Sequence, residues 1–213
     1  MKKLLSIVSS LILVSTITAK ADVGMGISGA FIDIDGDGTE TTRTSNQVNK
    51  GSHSEELAVP EVFIELIGDN GGAVGLSYIP TRDLGSKSRS DTNEDGDTGT
   101  YKAQAELDNV LKLYGDMPLG SLAGGTPYLT VGLQHVELVT LESLNSGATY
   151  PNKNLFGYSV GLGLKGDLPY GSLYYKGEVT YTDFETYEAD GAGNKVSADL
   201  DATTARLSIG YKF

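Results

Sequence analysis

Over most of its length the chain alternates large apolar residues with small or polar ones at a period of two. A strand with two unlike faces requires that pattern. Residues 23–31 set Val23, Met25, Ile27, Gly29 and Phe31 against Gly24, Gly26, Ser28 and Ala30. Residues 59–67 place Val62, Ile64 and Leu66 on one face and Glu61 and Glu65 on the other. The run Gly68-Asp69-Asn70-Gly71-Gly72 then reads as a tight turn, and residues 73–81 alternate Val74, Leu76 and Tyr78 with Gly75 and Ser77. Residues 100–114 gather Tyr101, Ala103, Ala105, Leu107, Leu111 and Leu113 on one face and Lys102, Gln104, Glu106, Asp108 and Lys112 on the other. A helix would scatter those charges around its circumference. Four more segments follow at 127–139, 155–168, 171–184 and 203–213. The last sets Thr203, Ala205, Leu207, Ile209, Tyr211 and Phe213 against Thr204, Arg206, Ser208, Gly210 and Lys212.

Eight such segments, each long enough for a tilted crossing of a hydrocarbon layer, predict an all-β fold: an eight-stranded antiparallel up-and-down transmembrane β-barrel. The connections alternate in length. Long polar ones are expected at 33–58, 82–99, 140–154 and 185–200, and shorter turns at 68–72, 115–126 and 166–170. Long extracellular loops against short periplasmic turns is the layout of this barrel class. The face that carries Glu61, Glu65, Lys102, Glu106, Lys112, Lys165, Lys176, Glu178 and Arg206 is too expensive to turn toward lipid, where Lys or Arg costs roughly 2–4 kcal/mol at the midplane. Those groups are therefore expected inside. Eight strands leave an interior that side chains fill, so ion pairs are expected there in place of an open pore.

The N-terminal residues change the picture in one respect. Lys2 and Lys3 precede an apolar stretch at residues 4–17, and Ala19-Lys20-Ala21 supplies small residues where signal peptidase needs them. Residues 1–21 thus read as a secretory signal cleaved before Asp22, with 22–213 as the barrel domain. The apolar stretch is shorter than the roughly 20 residues of a membrane-spanning helix. The signal holds three of the 16 basic residues and none of the 28 acidic ones, leaving 13 bases against 28 acids, a net charge of −15. Nucleic acid is excluded as a partner on that balance. There is no Cys, so no disulfide contributes. Tyr101, Tyr128, Phe156, Tyr158, Tyr175, Tyr181, Tyr211 and Phe213 lie near strand ends and are expected to form aromatic girdles at the headgroup level.

The signal, the eight alternating strands, the segment Thr126-Pro127-Tyr128-Leu129-Thr130-Val131-Gly132-Leu133 and the terminal Tyr211-Lys212-Phe213 resemble the small OmpA-like outer-membrane β-barrel proteins. The resemblance implies residence in the outer membrane of a Gram-negative bacterium, export through the Sec pathway, and a monomer that contacts outer-membrane lipid and lipopolysaccharide. It also implies that the last strand is the signal for the barrel assembly machinery, through Phe213, Tyr211, Ile209 and Leu207. Ser208 stands where that family often has Gly, with Gly at 210 instead.

Two segments suggest chemistry. Asp33-Ile34-Asp35-Gly36-Asp37-Gly38 and Asp91-Thr92-Asn93-Glu94-Asp95-Gly96-Asp97 follow the spacing of calcium loops, in which oxygens at alternate positions converge on one cation. The candidate ligands are Asp33, Asp35, Asp37, Asp91, Asn93 and Asp95. In both segments the twelfth position, normally a bidentate Glu, departs: it is Thr44 in the first and Lys102 in the second. A solvated acidic loop explains the same residues, and no other cofactor is expected. Gly24-x-Gly26-x-x-Gly29 and Gly161-x-Gly163-x-x-Gly166 match a dinucleotide fingerprint in letters only, since neither opens a helix. They read as small residues on a crowded inner face. The two histidines, His53 and His135, have no recognisable Ser–His–acid setting. The expected function is accordingly a non-enzymatic, structural or surface-exposed barrel. The alternatives are a narrow channel, small-solute porin or hydrophobic-solute conduit, and an outer-membrane lipid-modifying enzyme that would use His135.

Overall fold

The structure, a computed structural model, describes residues 21–42, 46, 48–92, 98–143, 150–190 and 194–213, with side chains omitted at 42, 87–92, 98–103, 141–143 and 194. Of the expected signal at 1–21, residues 1–20 lie outside the described residues, and Ala21 is the first residue of the first strand.

The chain forms an antiparallel up-and-down barrel. Its strands are β1 (Ala21–Thr42), β2 (Val48–Gly68), β3 (Ala73–Ile79), β4 (Arg82–Thr92), β5 (Thr98–Pro118), β6 (Thr126–Ser143), β7 (Lys153–Asp167), β8 (Leu173–Phe184), β9 (Tyr187–Asp190) and β10 (Asn194–Lys212). β3 and β4 share one position in the ring beside β5, and β8 and β9 share one beside β10, so the ring has eight strand positions. β1 closes it against β10, from Gly24 opposite Lys212 to Thr42 opposite Asn194. The C-terminus is held in this seam: the Phe213 N–H donates to the Val23 carbonyl at 2.9 Å. Ala21 and Phe213 both lie at the end of the barrel that carries the short turns. At the first of these turns Gly71 takes φ +79°, a left-handed value that favours Gly, and its N–H donates to Gly68.

Polarity follows the strand pattern in the lower part of the wall. Ile27, Phe31, Val62, Ile64, Leu162, Val179, Leu207 and Ile209 lie on the outer surface. Glu61, Glu65, Lys112, Lys165, Lys176, Glu178 and Arg206 are buried inside. Above this belt the polarity inverts. On β1 the outward positions become Asp33, Asp35 and Asp37, and the inward ones Ile32 and Ile34; on β10 Asp199 and Asp201 face outward and Leu200 and Ala202 inward. In the belt the surroundings are oil, and apolar groups gain nothing by turning inward. Above it they are water, and the ordinary hydrophobic rule returns. A cluster including Ala30, Val59, Ile79, Val110, Val136, Leu138 and Leu155 lines the upper barrel.

Three expectations are corrected. Much of the long connections is wall: β1 runs to Thr42, β2 starts at Val48, β4 covers most of 82–99, and β10 starts at Asn194. Reading those segments as loops mistook inverted polarity for lost periodicity. On β5 the register shifts between Asp108 and Leu111, with Asn109 at φ +51°. This bulge changes which parity faces inward, as an extra residue in one strand must. Leu111 and Leu113 therefore face outward while Ala105 and Leu107 face the interior, and Glu106 lies on the face opposite Lys112. Lys102 has its side chain outside the described residues. Finally, 115–126 is not one turn. β5 continues to Pro118, and the remainder closes with a bridge between Leu122 and Gly125.

Candidate functional site

Two interior layers sit one above the other. The lower is a charged plug. Glu65 accepts hydrogen bonds from the Tyr114 hydroxyl at 2.7 Å, the Tyr174 hydroxyl at 2.8 Å and Lys176 Nζ at 2.9 Å. Lys176 also reaches Asp116 at 2.7 Å, and Lys165 lies 3.7 Å from the same oxygen. Glu178 accepts from the Tyr128 hydroxyl at 2.9 Å and from Arg206 Nη1, with Lys112 at 3.9 Å. Arg206 Nε donates to Glu61 at 2.8 Å. Four acids thus meet four bases, and Lys176 Nζ lies 4.7 Å from the Tyr114 ring centre. Buried charges persist when paired and hydrogen-bonded in this way.

Glycines make room for the plug's tyrosines. A Cβ on Gly163 would sit 2.2 Å from the Tyr128 ring, and one on Gly75 would sit 2.5 Å from Tyr114. Of the fingerprint-like glycines, Gly24, Gly26, Gly161 and Gly163 do lie on the inner face, as read from the sequence. Gly29 and Gly166 lie on the outer one. Tyr128, expected in a girdle, is fully buried inside. Tyr175, Tyr211 and Phe213 lie outside near the short-turn end, and Phe156, Tyr158 and Tyr181 outside at the other margin. Tyr101 has its side chain outside the described residues.

The upper layer is a cavity of about 40 Å³, several times the roughly 10–15 Å³ that one water needs. Its walls are apolar: Ile32, Leu57, Val59, Val110, Val136 and Leu155 are representative. Gln134, Thr182, Thr204 and Arg206 give it a polar floor where it meets the plug.

The wall beside this cavity is incomplete. β2 pairs with β3 only as far as Val62 opposite Tyr78. Above that point β2 pairs only with β1, and β4 only with β5. Two register steps beyond the last pair stand Pro60 and Pro80, and neither has an N–H to donate. The ladder stops there, and a gap in the hydrogen bonding separates the edges of β2 and β4 beside the cavity.

The sequence-derived candidates are placed as follows. Asp33, Asp35 and Asp37 lie on the outer face of β1 in extended backbone. Alternate residues on a strand are about 6.6–6.8 Å apart, so the strand does not curl the three carboxylates around one ion. Ser54 Oγ donates to Asp33 at 3.1 Å. No group of three acids or histidines with metal-holding geometry occurs among the described residues. Asp91 lies in β4 with its side chain outside the described residues, and Asn93 and Asp95 lie outside them altogether. His135 stacks on Phe156 at 5.1 Å, with Leu111 opposite it on the other flank. His53 lies 3.5 Å from Glu55. Leu207, Ile209, Tyr211 and Phe213 share the outer face of the last strand, and Tyr211 and Phe213 stack edge to face at 4.9 Å.

Sequence reasoning missed Asp116, Arg82 and the apolar upper interior. Asp116 was hidden in a supposed turn and Arg82 in a supposed loop. The signal that would have found the interior is the alternation Ile32, Ile34, Gly36, Gly38 continuing past Phe31.

No protein-family model and no curated protein sequence matches the chain. Among solved structures, it is similar to the outer membrane protein OprG from Pseudomonas aeruginosa, with 17% identity over 91% of this chain and 96% of that one and a TM-score of 0.64. It is also similar to the outer membrane protein AlkL in DMPC lipid bilayers, with 14% identity over 91% and 90% and a TM-score of 0.52. The fold is that of the outer-membrane β-barrel proteins.

Proposed function

We propose that this protein is a conduit that passes small hydrophobic solutes into the outer membrane through its side wall. The observation that carries the reading is the apolar cavity, closed below by the ion-pair plug and flanked by the unpaired edges of β2 and β4. The gap begins at Pro60, level with Gly29 and below Phe31, within the apolar belt. A solute that enters from the extracellular mouth meets a blocked axis and a flank that no backbone pairing holds shut. The plug disfavours an ion-conducting porin, because a hydrated ion would have to break paired charges.

The OmpA-like resemblance adds to this reading. Leu207, Ile209, Tyr211 and Phe213 present the outward row that the barrel assembly machinery would read, on a monomer surrounded by lipid and lipopolysaccharide. The test is uptake of labelled octan-1-ol by intact Gram-negative cells. Cells that carry the protein should take it up faster than cells that carry Val136→Trp, which fills the cavity. Equal rates would sink the reading.

A second reading, a structural or surface-presenting barrel, is favoured by the acidic outer face of the upper wall, where Asp33, Asp35, Asp37, Asp199 and Asp201 stand together on β1 and β10. Planar-bilayer silence with no octan-1-ol uptake would move the balance to it. Calcium on that face would be tested by calorimetry at millimolar Ca²⁺ on the folded barrel.

A further inference from the structure

Among the described residues the cavity wall carries two charges, Arg82 and Arg206, and they are held differently. Arg206 is neutralised by Glu61 and Glu178. Arg82 is the first residue of β4, pairs with Leu107, and so points inward beside the gap. Its Nη1 donates to the backbone carbonyl of Thr81 at 3.0 Å. Its Nε is buried without a hydrogen-bond acceptor, and no carboxylate among the described residues pairs with it. A guanidinium in an apolar setting, half served by one neutral carbonyl, leaves part of a planar fork unused. A carboxylate fits that fork with two parallel hydrogen bonds, and Arg is the residue best suited to such recognition.

We infer that the cavity selects amphiphiles with a carboxylate head and a medium-length hydrocarbon tail. The head sits on Arg82 at the gap, and the first carbons of the tail lie among Leu57, Val59, Val110 and Leu155. The inference rests on the conduit reading and names its substrate class. Binding to Arg82 supplies the missing counter-ion without displacing any existing ion pair. A neutral chain of equal length would fill the same walls and leave the guanidinium as it is.

The test uses the folded barrel in nanodiscs of zwitterionic lipid, with empty discs subtracted, and calorimetry of octanoate and octan-1-ol. The wild-type barrel should bind octanoate at least about tenfold more tightly than octan-1-ol, as a desolvated charge-assisted pair would give. Arg82→Met should weaken octanoate by at least about tenfold and octan-1-ol by less than about threefold, while Arg82→Lys should retain part of the preference. Should Arg82→Met fail to fold, the wild type alone decides: raising NaCl from about 20 to about 500 mM should weaken octanoate and spare octan-1-ol. Equal binding of both compounds, an unaltered preference in Arg82→Met, or a preference insensitive to salt would overturn the carboxylate inference and leave the conduit standing. If neither compound binds above empty discs, both readings fall.

Discussion

Pro60 and Pro80 occupy matching register positions two steps beyond Val62 and Tyr78, the last pair of the β2–β3 ladder. Each lacks the N–H that an antiparallel pair exchanges, so the gap beside the cavity is written into the covalent chemistry of two residues. Replacing both with Val restores two donors. The expected outcome is a longer ladder and slower octan-1-ol uptake. Hydrogen exchange checks it directly: amides at 60 and 80 should become protected, and exchange at the rate of open chain would show that the gap has another cause.

Lys176 joins Glu65 and Asp116 at the centre of the plug. Lys176→Met leaves two buried carboxylates facing each other, and a loss of about 3–5 kcal/mol in unfolding free energy is expected. Lys212→Met removes the rim pair with the largely exposed Asp167, and should cost less than about 1 kcal/mol. Urea unfolding in lipid vesicles distinguishes them. Similar losses in the two variants would mean that the plug is not the barrel's main electrostatic support.

At Gly163 a single methyl group would press on the ring of Tyr128, which lies across it. Gly163→Ala forces the ring to shift away from Glu178 and should destabilise by about 1–3 kcal/mol. Gly51→Ala, where a Cβ would meet nothing within 4 Å, serves as the control. The heat-modified gel shift should move to lower temperature only for the first.

Asp201 lies opposite Asp35 on one side and Asp183 on the other, on the outer face above the belt. Partial desolvation, and then the neighbouring Asp35, Asp183 and Asp37, raise its carboxyl above the ordinary aspartate value. The folded state therefore binds this proton more tightly than the unfolded chain does. The ionised group is a penalty that is fully present above the folded pKa and gone below the unfolded one, so stability from this site rises as the pH is lowered through that window. Asp201→Asn should stabilise by a few tenths of a kcal/mol near neutral pH at low salt, and the gain should shrink in high salt. Thermal melts at two ionic strengths read both effects.

The belt was legible in the residues alone. Ile27, Val62, Leu207 and their partners alternate cleanly because oil on one side and a polar interior on the other hold the period. The plug was half legible: Glu65, Lys176, Glu178 and Arg206 sit where alternation puts charge, but their pairings depend on register. Tyr128 looked like a girdle residue, and only Gly163 across the β6–β7 pair shows why it turns inward. The upper wall was not legible as strand, because Asp33, Asp35 and Gly36 carry loop composition in an extended backbone. The change of face at Asn109 could not be seen either, since a bulge leaves the composition of its strand unchanged.

The polarity inversion sets a waterline. On β1 it runs between Phe31 and Asp33, and the gap that begins at Pro60 lies just under it. The barrel floats at the depth where its outward residues change from apolar to acidic, so the submerged part of the gap depends on how thick the host bilayer is. A thicker membrane covers more of the opening and a thinner one lifts it toward the polar headgroups. Lipid composition would then act as a throttle on this flank, with no moving part in the protein.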